Sequence, residues 1–443
     1  MAAHSLIAHS APEAVFAYRA SRPIRAAEFL AEAHALAERL PAGHHVINVC
    51  ADRYRFAVGF AAAVLAGKVS LLPPSHTPEV VRHLKSFAPD VFCLTDTPCD
   101  LDVPQMRYPR LPRIARPWRV PVVDTARTVA FVFTSGSTGA PVPHVKTWGR
   151  LIQCVLEGAR RLEVTPATAL LATVPAQHMY GFESSVLLPF ASGSALCAER
   201  PFYPADVCHA LEALPRPRML ITTPIHLRAL MTYPDTLPAA DLIISATSPL
   251  SQELAQQAES RFQGPLREIY GSTESGQLAT RASAREQAWR IWPGIALTLE
   301  AGGIWARGGH LEQPTALCDQ IEPLDAEHFL LHGRLADLVN IAGKRSSLAY
   351  LTHQLLGIQG VRDGAFFFPD GERRPEPAPA RVAAAAVAPG LSAADIRAAL
   401  RGRIDPVFLP RPLLLLERLP RNSTGKLPQE ALRALLAPRP QLS

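Results

Sequence analysis

Apolar residues along the first part of the chain follow two patterns, which predict short buried strands alternating with amphipathic helices. Strands are predicted from short continuous apolar runs, and helices from apolar positions spaced three or four residues apart. The predicted strands are 45–50, 69–73, 90–95, 129–134, 169–174, 218–222, 241–245 and 267–270. The predicted helices are 25–40, 54–66, 77–87 and 146–162. Such alternation is typical of parallel sheets covered by helices on both faces, so the pattern predicts an α/β fold.

The pattern changes in the last part of the chain. Apolar runs at 364–368 and 412–417 predict strands, two helical patterns accompany them, and the proline-rich segment 372–381 predicts a surface loop. A chain of 443 residues is too long for one ordinary core. We therefore predict two domains. Residues 1–333 would form a large domain of parallel sheets with a β-rich subdomain, and residues 334–443 a small mobile α+β domain.

Composition narrows the class of protein. Hydrophobic residues make up 48% and charged residues 19% of the chain, which is typical of a globular protein. The net charge of +6 is mild for this length, and no motif supports nucleic-acid binding. No apolar run reaches the length of a membrane span, no signal-peptide pattern is present, and the seven cysteines are scattered without zinc-like spacing. We expect a cytoplasmic protein without membrane insertion and with reduced thiols.

Two loops rich in Ser, Thr and Gly follow predicted strands and carry the candidate chemistry. In TSGSTGAP (134–141), glycines let successive backbone N–H groups point into one concavity and hydroxyls add donors, a combination that binds phosphate. The loop is neither a Walker loop nor a GxGxxG motif. In YGSTE (270–274), Glu274 follows the carboxyl end of a strand, where its carboxylate could hold Mg²⁺ against phosphate oxygens. Taken alone, each loop also fits an ordinary turn or a helix cap.

The order of the motifs resembles the adenylate-forming superfamily, which comprises acyl-CoA synthetases, nonribosomal peptide adenylation domains and luciferases. The matching segments are TSGSTGAP, HMYG (178–181), SATSPLSQEL (245–254), YGSTE, PGIALTLEAGGIWARG (293–308), the Gly333-Arg334 hinge and LPRNSTGK (419–426). The resemblance runs from about residue 25 to the C-terminus. It implies that the chain uses ATP and Mg²⁺ to activate a carboxylic acid as an acyl-adenylate.

The resemblance also implies roles for individual residues. The implied ATP-binding residues are Thr134, Ser135, Gly136, Ser137, Thr138, Gly139, Ala246, Thr247, Tyr270, Gly271, Ser272, Asp319 and Arg334. Thr273 would contact the α-phosphate, Glu274 would hold Mg²⁺, and His178 would lie beside the carboxylate and shift between half-reactions. Lys426 matches the lysine that stabilises charge developing on the α-phosphoryl group. Because it lies on the mobile domain, a later rotation would withdraw it and admit a thiol.

The chain departs from the family pattern at two positions. Val142 stands where the phosphate loop usually continues with lysine, and Ala336 stands where the hinge often has a pivot aspartate. Charge-assisted hydrogen bonds contribute about 1.5–3 kcal/mol, so an uncompensated loss would cost on the order of tenfold to a hundredfold in ATP use. Lys146 or His144 is a candidate for compensation, although Lys146 could equally lie along the following helix.

The acid pocket is expected among aromatic and small residues. Its predicted lining is His178, Tyr180, Gly181, Phe182, Thr247, Gly271, Ser272 and Gly276. Burying an unpaired ammonium group is costly. Only Glu183 stands near the position of the aspartate that often serves amino-acid-activating relatives. The sequence therefore favours an aromatic or short hydrophobic acid.

The thiol acceptor stays open between two candidates. No carrier motif is present, and the mild basic charge suits an acidic acyl carrier protein supplied in trans. Compact loops and the HVKTW segment (144–148) resemble the stand-alone ligases of aryl-polyene and xanthomonadin pathways, which load an aryl acid onto a carrier protein. Free CoA is the alternative acceptor. A third hypothesis, a non-catalytic adenylate-binding protein, is motivated by Val142 and Ala336.

Overall fold

The computed structural model describes residues 2–73, 75–111, 117–135, 141–300, 303–334, 338–341, 344–369, 381–422 and 426–436. Its strands are β1 (Ala3–Ser5), β2 (Val15–Arg19), β3 (Arg22–Arg25), β4 (His45–Asn48), β5 (Val69–Leu72), β6 (Phe92–Thr95), β7 (Gln105–Arg107), β8 (Val122–Asp124), β9 (Thr128–Ser135), β10 (Pro141–Thr147), β11 (Ala169–Ala172), β12 (Ala195–Cys197), β13 (Arg218–Thr222), β14 (Leu242–Ser245), β15 (Leu266–Ser272), β16 (Gly276–Arg281), β17 (Trp289–Ile291), β18 (Ile295–Glu300), β19 (Gly303–Gly308), β20 (Thr315–Leu317), β21 (Asp319–Pro323), β22 (His328–Arg334), β23 (Leu338–Ile341), β24 (Lys344–Ser347), β25 (Asp363–Phe367), β26 (Ala383–Val387) and β27 (Leu413–Leu415).

The helices are α1 (Ala26–Ala37), α2 (Arg53–Leu65), α3 (Pro78–Phe87), α4 (Trp148–Arg161), α5 (Met179–Phe182), α6 (Leu188–Ser192), α7 (Pro204–Glu212), α8 (Pro224–Met231), α9 (Gln252–Phe262), α10 (Leu348–Leu356), α11 (Ala393–Arg401) and α12 (Gln429–Ala434). A π-helical turn (Glu183–Leu187) joins α5 to α6, and a 3₁₀ turn (Pro406–Phe408) precedes β27. Within the described ranges, no helix combines the length and the hydropathy that crossing a membrane requires.

A six-stranded sheet carries the edge strand that leads to the candidate site. Its spatial order is β10-β9-β5-β4-β6-β7. The strands from β9 to β7 are parallel, as the buried apolar runs predict, whereas β10 folds back on β9 as an antiparallel hairpin. The prediction of helix from residue 146 is therefore wrong at its start. Lys146 pairs with Ala130 in the hairpin, and α4 begins at Trp148.

An eleven-stranded sheet forms the second layer. Its order is β21-β22-β17-β16-β15-β14-β13-β11-β12-β2-β3. The strands β2, β12, β11, β13, β14 and β15 run parallel, and antiparallel strands extend the sheet at both ends. β11, β13, β14 and β15 coincide with predicted apolar runs, whereas β2 and β12 were not predicted. The antiparallel strands from β16 onward form the β-rich part predicted within residues 1–333. The order of the motifs, and not the hydrophobic periodicity, suggests that part.

Aromatic packing holds the first layer together. Phe16 stacks on Phe29 with ring centroids 3.6 Å apart, and Phe60 meets Phe182 edge to face at 4.9 Å. These four side chains are at most 1% exposed. Burial of such a side chain contributes about 1.5–3 kcal/mol, so this cluster fixes α1 and α2 against the segment that follows the HMYG motif.

The last part of the chain has hydrophobic clusters of its own. One joins β23, α10, α11 and β26, and a second joins β25, β26 and α12. Every member of these clusters follows residue 338. The small sheet has the order β25-β26-β27, with an antiparallel and a parallel pair. This mixed arrangement agrees with the predicted α+β character.

Acidification is expected to destabilise the fold through buried histidines such as His9. His9 is 3% exposed, and burial lowers its pKa from 6.5 to about 4. Below pH 6.5 the unfolded chain therefore binds a proton that the folded chain does not, so stability falls until about pH 4. For His9 alone the loss at pH 5 is about 2 kcal/mol. A His9→Leu variant should show a smaller drop in melting temperature between pH 7.5 and pH 5 than the unsubstituted protein. An equal drop would contradict the assignment.

Candidate active site

The turn between β15 and β16 forms the centre of the site. Ser272 and Ser275 close it reciprocally, because each hydroxyl accepts from the backbone N–H of the other residue at 3.1 Å. Gly276 has φ +72°, a conformation that favours glycine. A Cβ at Gly271 would lie 2.2 Å from the Gly276 carbonyl oxygen. Gly271 is therefore required by the close approach of the two strands, and Gly276 by its backbone conformation.

One face of β10 points towards this turn. Side chains two residues apart on a strand share a face, so Val142, His144 and Lys146 lie on the same side. The His144 Nε2 atom lies 2.9 Å from Thr134 Oγ1 and 3.9 Å from a carboxylate oxygen of Glu274. His144 thus joins the residue at the start of the phosphate loop to the predicted Mg²⁺ ligand. Burial lowers the pKa of His144, so it is mainly neutral at pH 7.

Lys146 lies beneath the turn rather than beside the phosphate loop. Its side chain is 5% exposed, and Nζ donates to the backbone carbonyl of Glu274 at 2.8 Å. Burial lowers the pKa of Lys146, and the charge of Glu183 is the largest opposing influence. The Lys146 ammonium group already donates to a carbonyl of the turn. His144 is therefore the better candidate to compensate for the lysine that Val142 replaces.

The predicted nucleotide-binding residues meet at the ends of neighbouring strands. The Tyr270 hydroxyl donates to Asp319 Oδ2 at 2.6 Å, and Asp319 is the cross-strand partner of Arg334. Thr247 follows Ala246 at the end of β14 with φ +82°. A β-branched residue in this conformation is strained, and such strain is concentrated at functional sites. The structure thus brings residues that were predicted to bind the base and residues that were predicted to bind the ribose to one edge of the sheet.

Lys426 reaches the other side of the site from the last part of the chain. Burial lowers the pKa of His178 to about 4, and the positive charge of Lys426 is the next largest cause. The backbone N–H of Lys426 donates to the Asn422 side chain at 2.9 Å, while Arg421 pairs with Asp363 at 2.6 Å. The arginine of the LPRNSTGK motif therefore anchors the lysine-bearing segment to β25.

The predicted lining of the acid pocket is divided between pocket and core. The Tyr180 hydroxyl donates to the carbonyls of Thr222 and Ile244 at 3.1 Å, which fixes the HMYG segment to β13 and β14. Phe182 has no exposed surface and packs into the aromatic core, so its assignment as a lining residue needs correction. In the α5 helix the Phe182 ring lies on the side that faces α2, where apolar neighbours cover it.

Several predicted residues cannot be compared with the structure. Gly136, Ser137, Thr138 and Gly139 lie outside the described residues, as does the hinge position Ala336. Ser135 and Arg334 are described only as members of strands. Thr273 is half-buried in the turn that carries Glu274.

Sequence reasoning missed buried polar residues behind the site. Arg53 is 2% exposed and donates to the carbonyls of Ala172 and Val174 at 3.0 and 2.7 Å, and also to the Ser185 hydroxyl. It therefore ties α2 to the end of β11 and to the turn after α5. Its only signal in the sequence is a charge at the start of a largely apolar helix. His310, 3.0 Å from the Ser275 carbonyl, was missed because no motif surrounds it.

The donors around Glu274 fit a divalent cation such as Mg²⁺. The Glu274 side chain is 37% exposed, and the Thr134 hydroxyl belongs to the same group of residues around His144. Carboxylate oxygens together with substrate phosphates are the usual ligands of Mg²⁺ in proteins. The described residues contain no cluster of three or more His, Cys, Asp or Glu side chains that could hold a metal.

The chain is similar to known proteins in sequence and in fold. A 4-coumarate–CoA ligase of Halorhodospira halophila is 31% identical over 66% of this chain and 73% of its own length. A 4-coumarate–CoA ligase of Rhodobacter capsulatus is 28% identical over 53% of this chain, which spans 60% of that enzyme's length. The o-succinylbenzoate CoA synthetase of Bacillus subtilis, solved with its acyl-adenylate intermediate, superposes with a TM-score of 0.82 at 17% identity, covering 98% of this chain and 99% of the synthetase. It confirms the predicted α/β fold class.

The family model described as AMP-binding enzyme matches residues 7–295, which is more than half of the chain. This match confirms the adenylate-forming resemblance and the prediction that the chain is an enzyme. The chain belongs to the AMP-binding enzyme family.

Proposed function

We propose that the protein is an ATP-dependent ligase that activates an aryl acid as its acyl-adenylate and then transfers the acyl group to a thiol. The observation that carries the proposal is the position of Lys426, whose charge acts on His178 although the two residues are far apart in the sequence. A non-catalytic binding protein would not need a cation from the last part of the chain beside the acid pocket. The presence of Glu274, Tyr270 and Asp319 in one site supports the same activity.

In the first half-reaction, a carboxylate oxygen of the acid attacks the α-phosphorus of ATP. The bond from that phosphorus to the bridging oxygen breaks, and pyrophosphate leaves. Lys426 would stabilise the charge that grows on the α-phosphoryl oxygens, and Thr273 would orient them. His144 and Thr134 would hold the departing phosphates, with Glu274 as the ligand of Mg²⁺. When bound, the ion would neutralise phosphate charge.

In the second half-reaction, a thiol attacks the carbonyl carbon of the acyl-adenylate. The bond from carbon to the phosphate oxygen breaks, AMP leaves, and the thiol proton passes to solvent. We propose that residues 334–443 rotate about Gly333 between the two steps. Burial keeps the pKa of His178 near 4, so its imidazole is neutral at physiological pH and can move without carrying a charge out of the pocket.

The names of the relatives favour CoA as the acceptor. Both bacterial relatives described above are CoA ligases, and so is the structural neighbour from Bacillus subtilis. Transfer to an acyl carrier protein stays a prediction from the compact loops and the basic charge. We expect thioester formation with free CoA, measured by loss of free thiol. Thioester formation with a holo carrier protein alone would instead favour the carrier.

Replacing Lys426 should affect the first half-reaction selectively. We expect Lys426→Ala to lower aryl-acid-dependent pyrophosphate release by about 100- to 1000-fold, because preorganised charge stabilisation contributes this much. Transfer from a supplied acyl-adenylate to the thiol should be affected far less. Lys85→Ala is the matched control, since Lys85 pairs with Asp102 at the surface of the first layer. Equal effects of both substitutions on pyrophosphate release would refute the role of Lys426.

The role of His144 can be tested together with Val142. We expect His144→Ala to raise the KM for ATP about tenfold, because one hydrogen bond on the phosphate side is lost. Introducing Val142→Lys into that variant should restore much of the affinity, because the two side chains share a face of β10. His83→Ala, in the first layer, serves as the control. An unchanged KM in His144→Ala would show that the histidine does not serve ATP.

The proposed rotation depends on the backbone at Gly333. Its φ is +121°, and a Cβ there would lie 3.2 Å from both Ser347 Oγ and Ala349 Cβ. Gly333→Ala should therefore destabilise this arrangement by about 1–3 kcal/mol and slow adenylation about 5- to 100-fold. Separate single-turnover measurements of the two half-reactions would check this. Equal slowing of both steps, with a lowered melting temperature, would indicate a folding defect instead of a hinge.

A further inference from the structure

The hydroxyl group of Ser347 makes two hydrogen bonds, one to each side of the predicted hinge. Ser347 is 4% exposed and is the N-cap residue of α10, where its Oγ accepts from the backbone N–H of Tyr350 at 3.0 Å. The same hydroxyl donates its proton to the backbone carbonyl of His332 at 3.2 Å. The first bond lies within the last part of the chain, whereas the second reaches back to β22, before the hinge.

The antiparallel pair of β23 and β24 brings Ser347 back to the hinge. Leu338 at the start of β23 is the cross-strand partner of Ser347 at the end of β24. The chain therefore returns along β24 to the place from which it left β22. A Cβ at Gly333 would lie 3.2 Å from Ser347 Oγ. Ser347 thus lies directly against the backbone about which the rotation is proposed.

Ser347 is fixed to the last part of the chain by the helix that it caps. The buried leucine side chains of α10 belong to a hydrophobic cluster whose members all follow residue 338; they are Leu348, Leu351 and Leu355. Their burial holds α10, and with it the N-cap residue, against that cluster. A rotation of residues 334–443 would therefore carry Ser347 and α10 as one body and would preserve the cap bond.

The His332 carbonyl would stay behind in such a rotation. It belongs to the planar peptide group that joins His332 to Gly333, so rotation about either backbone dihedral of Gly333 leaves it in place relative to the preceding residues. Ser347 Oγ lies beyond both dihedrals, and a large rotation would break its bond to the carbonyl. The bond is present in the arrangement in which the charge of Lys426 acts on His178.

We propose that Ser347 is a positioning residue for adenylation, whose hydroxyl holds residues 334–443 to the His332 carbonyl while Lys426 faces the acid pocket and releases that carbonyl before thiol transfer. We call this hydrogen bond the hinge latch. The inference rests on the proposed function and adds to it a residue that controls the balance between the two half-reactions. One hydrogen bond between neutral groups shifts an equilibrium about 2- to 10-fold. The hinge latch is therefore weak enough to open in every turnover.

Two substitutions separate the hinge latch from the helix cap. Ser347→Ala removes both hydrogen bonds of the hydroxyl. Ser347→Asp keeps an N-cap acceptor for the Tyr350 N–H, but an ionised carboxylate has no proton to donate to the His332 carbonyl. Ser347→Thr keeps a hydroxyl group for both bonds. Ser392→Ala is the matched control, because Ser392 caps α11, which has nine residues like α10, and its hydroxyl bonds to Asp395 of the same helix.

The measurement compares single-turnover rates of the two half-reactions in the full-length protein. The first rate is pyrophosphate release from ATP with an aryl acid, and the second is thioester formation from a supplied acyl-adenylate. In Ser347→Ala and Ser347→Asp, the ratio of the first rate to the second should fall about 2- to 10-fold. Ser347→Thr should keep the original ratio. Ser392→Ala should lower the melting temperature, as Ser347→Ala does, and leave the ratio unchanged.

The outcomes separate this inference from the proposed function. An unchanged ratio in Ser347→Ala or in Ser347→Asp, or an equal fall in Ser392→Ala, would overturn the hinge latch while adenylation stands. If the unsubstituted protein releases no pyrophosphate with any acid, the proposed function fails. The hinge latch is then judged by small-angle X-ray scattering. A change in the pair-distance distribution that Ser347→Ala and Ser347→Asp share and that Ser392→Ala lacks would support it, and equal distributions would overturn it.

Discussion

The Lys146 ammonium group donates to the Glu274 carbonyl, and this bond joins the edge strand of the six-stranded sheet to the turn of the eleven-stranded sheet. The candidate site lies where the two sheets meet, and each contributes part of it. Because Lys146 is almost fully buried, the bond is shielded from water and is stronger than its counterpart at the surface would be. His144, on the same face of β10, adds a second contact to Glu274. The geometry of the phosphate side and of the acid side therefore depends on one hairpin.

This construction supports the proposal that His144 compensates for Val142, which stands where the family's phosphate loop usually has lysine. The face of β10 that would have carried that lysine carries His144 and Lys146 instead, and both contact the Glu274 turn. His144 contacts Thr134 and the Glu274 side chain, whereas Lys146 is buried beneath the turn. The cation proposed to act on the α-phosphate, Lys426, comes from elsewhere. Arg421 and Asp363 hold its segment against the small sheet, so the position of Lys426 follows the position of that sheet.

Hydrophobic periodicity predicted most of the parallel strands, because a strand buried on both faces needs a continuous apolar run, and it predicted four of the helices that cover them. It did not predict β10. Val142, His144 and Lys146 alternate with Pro143 and Val145, and a strand with this composition has no apolar face by which to recognise it. The helix predicted from residue 146 was extended too far for the same reason. The buried residues Cys154 and His310 were equally hard to foresee, since they come from separate segments.

The sequence by itself determined the α/β class and the membership of an adenylate-forming family, because these depend on local periodicity and on motifs at fixed order. It also predicted a set of nucleotide-binding residues from the same motifs. Only the tertiary structure decided which polar side chains are buried together. It put Lys146 beneath Glu274, Phe182 into the aromatic core and Glu183 at the wall of a cavity. The physical reason is that burial and electrostatic coupling arise from contacts between segments distant in sequence, and no local pattern records them.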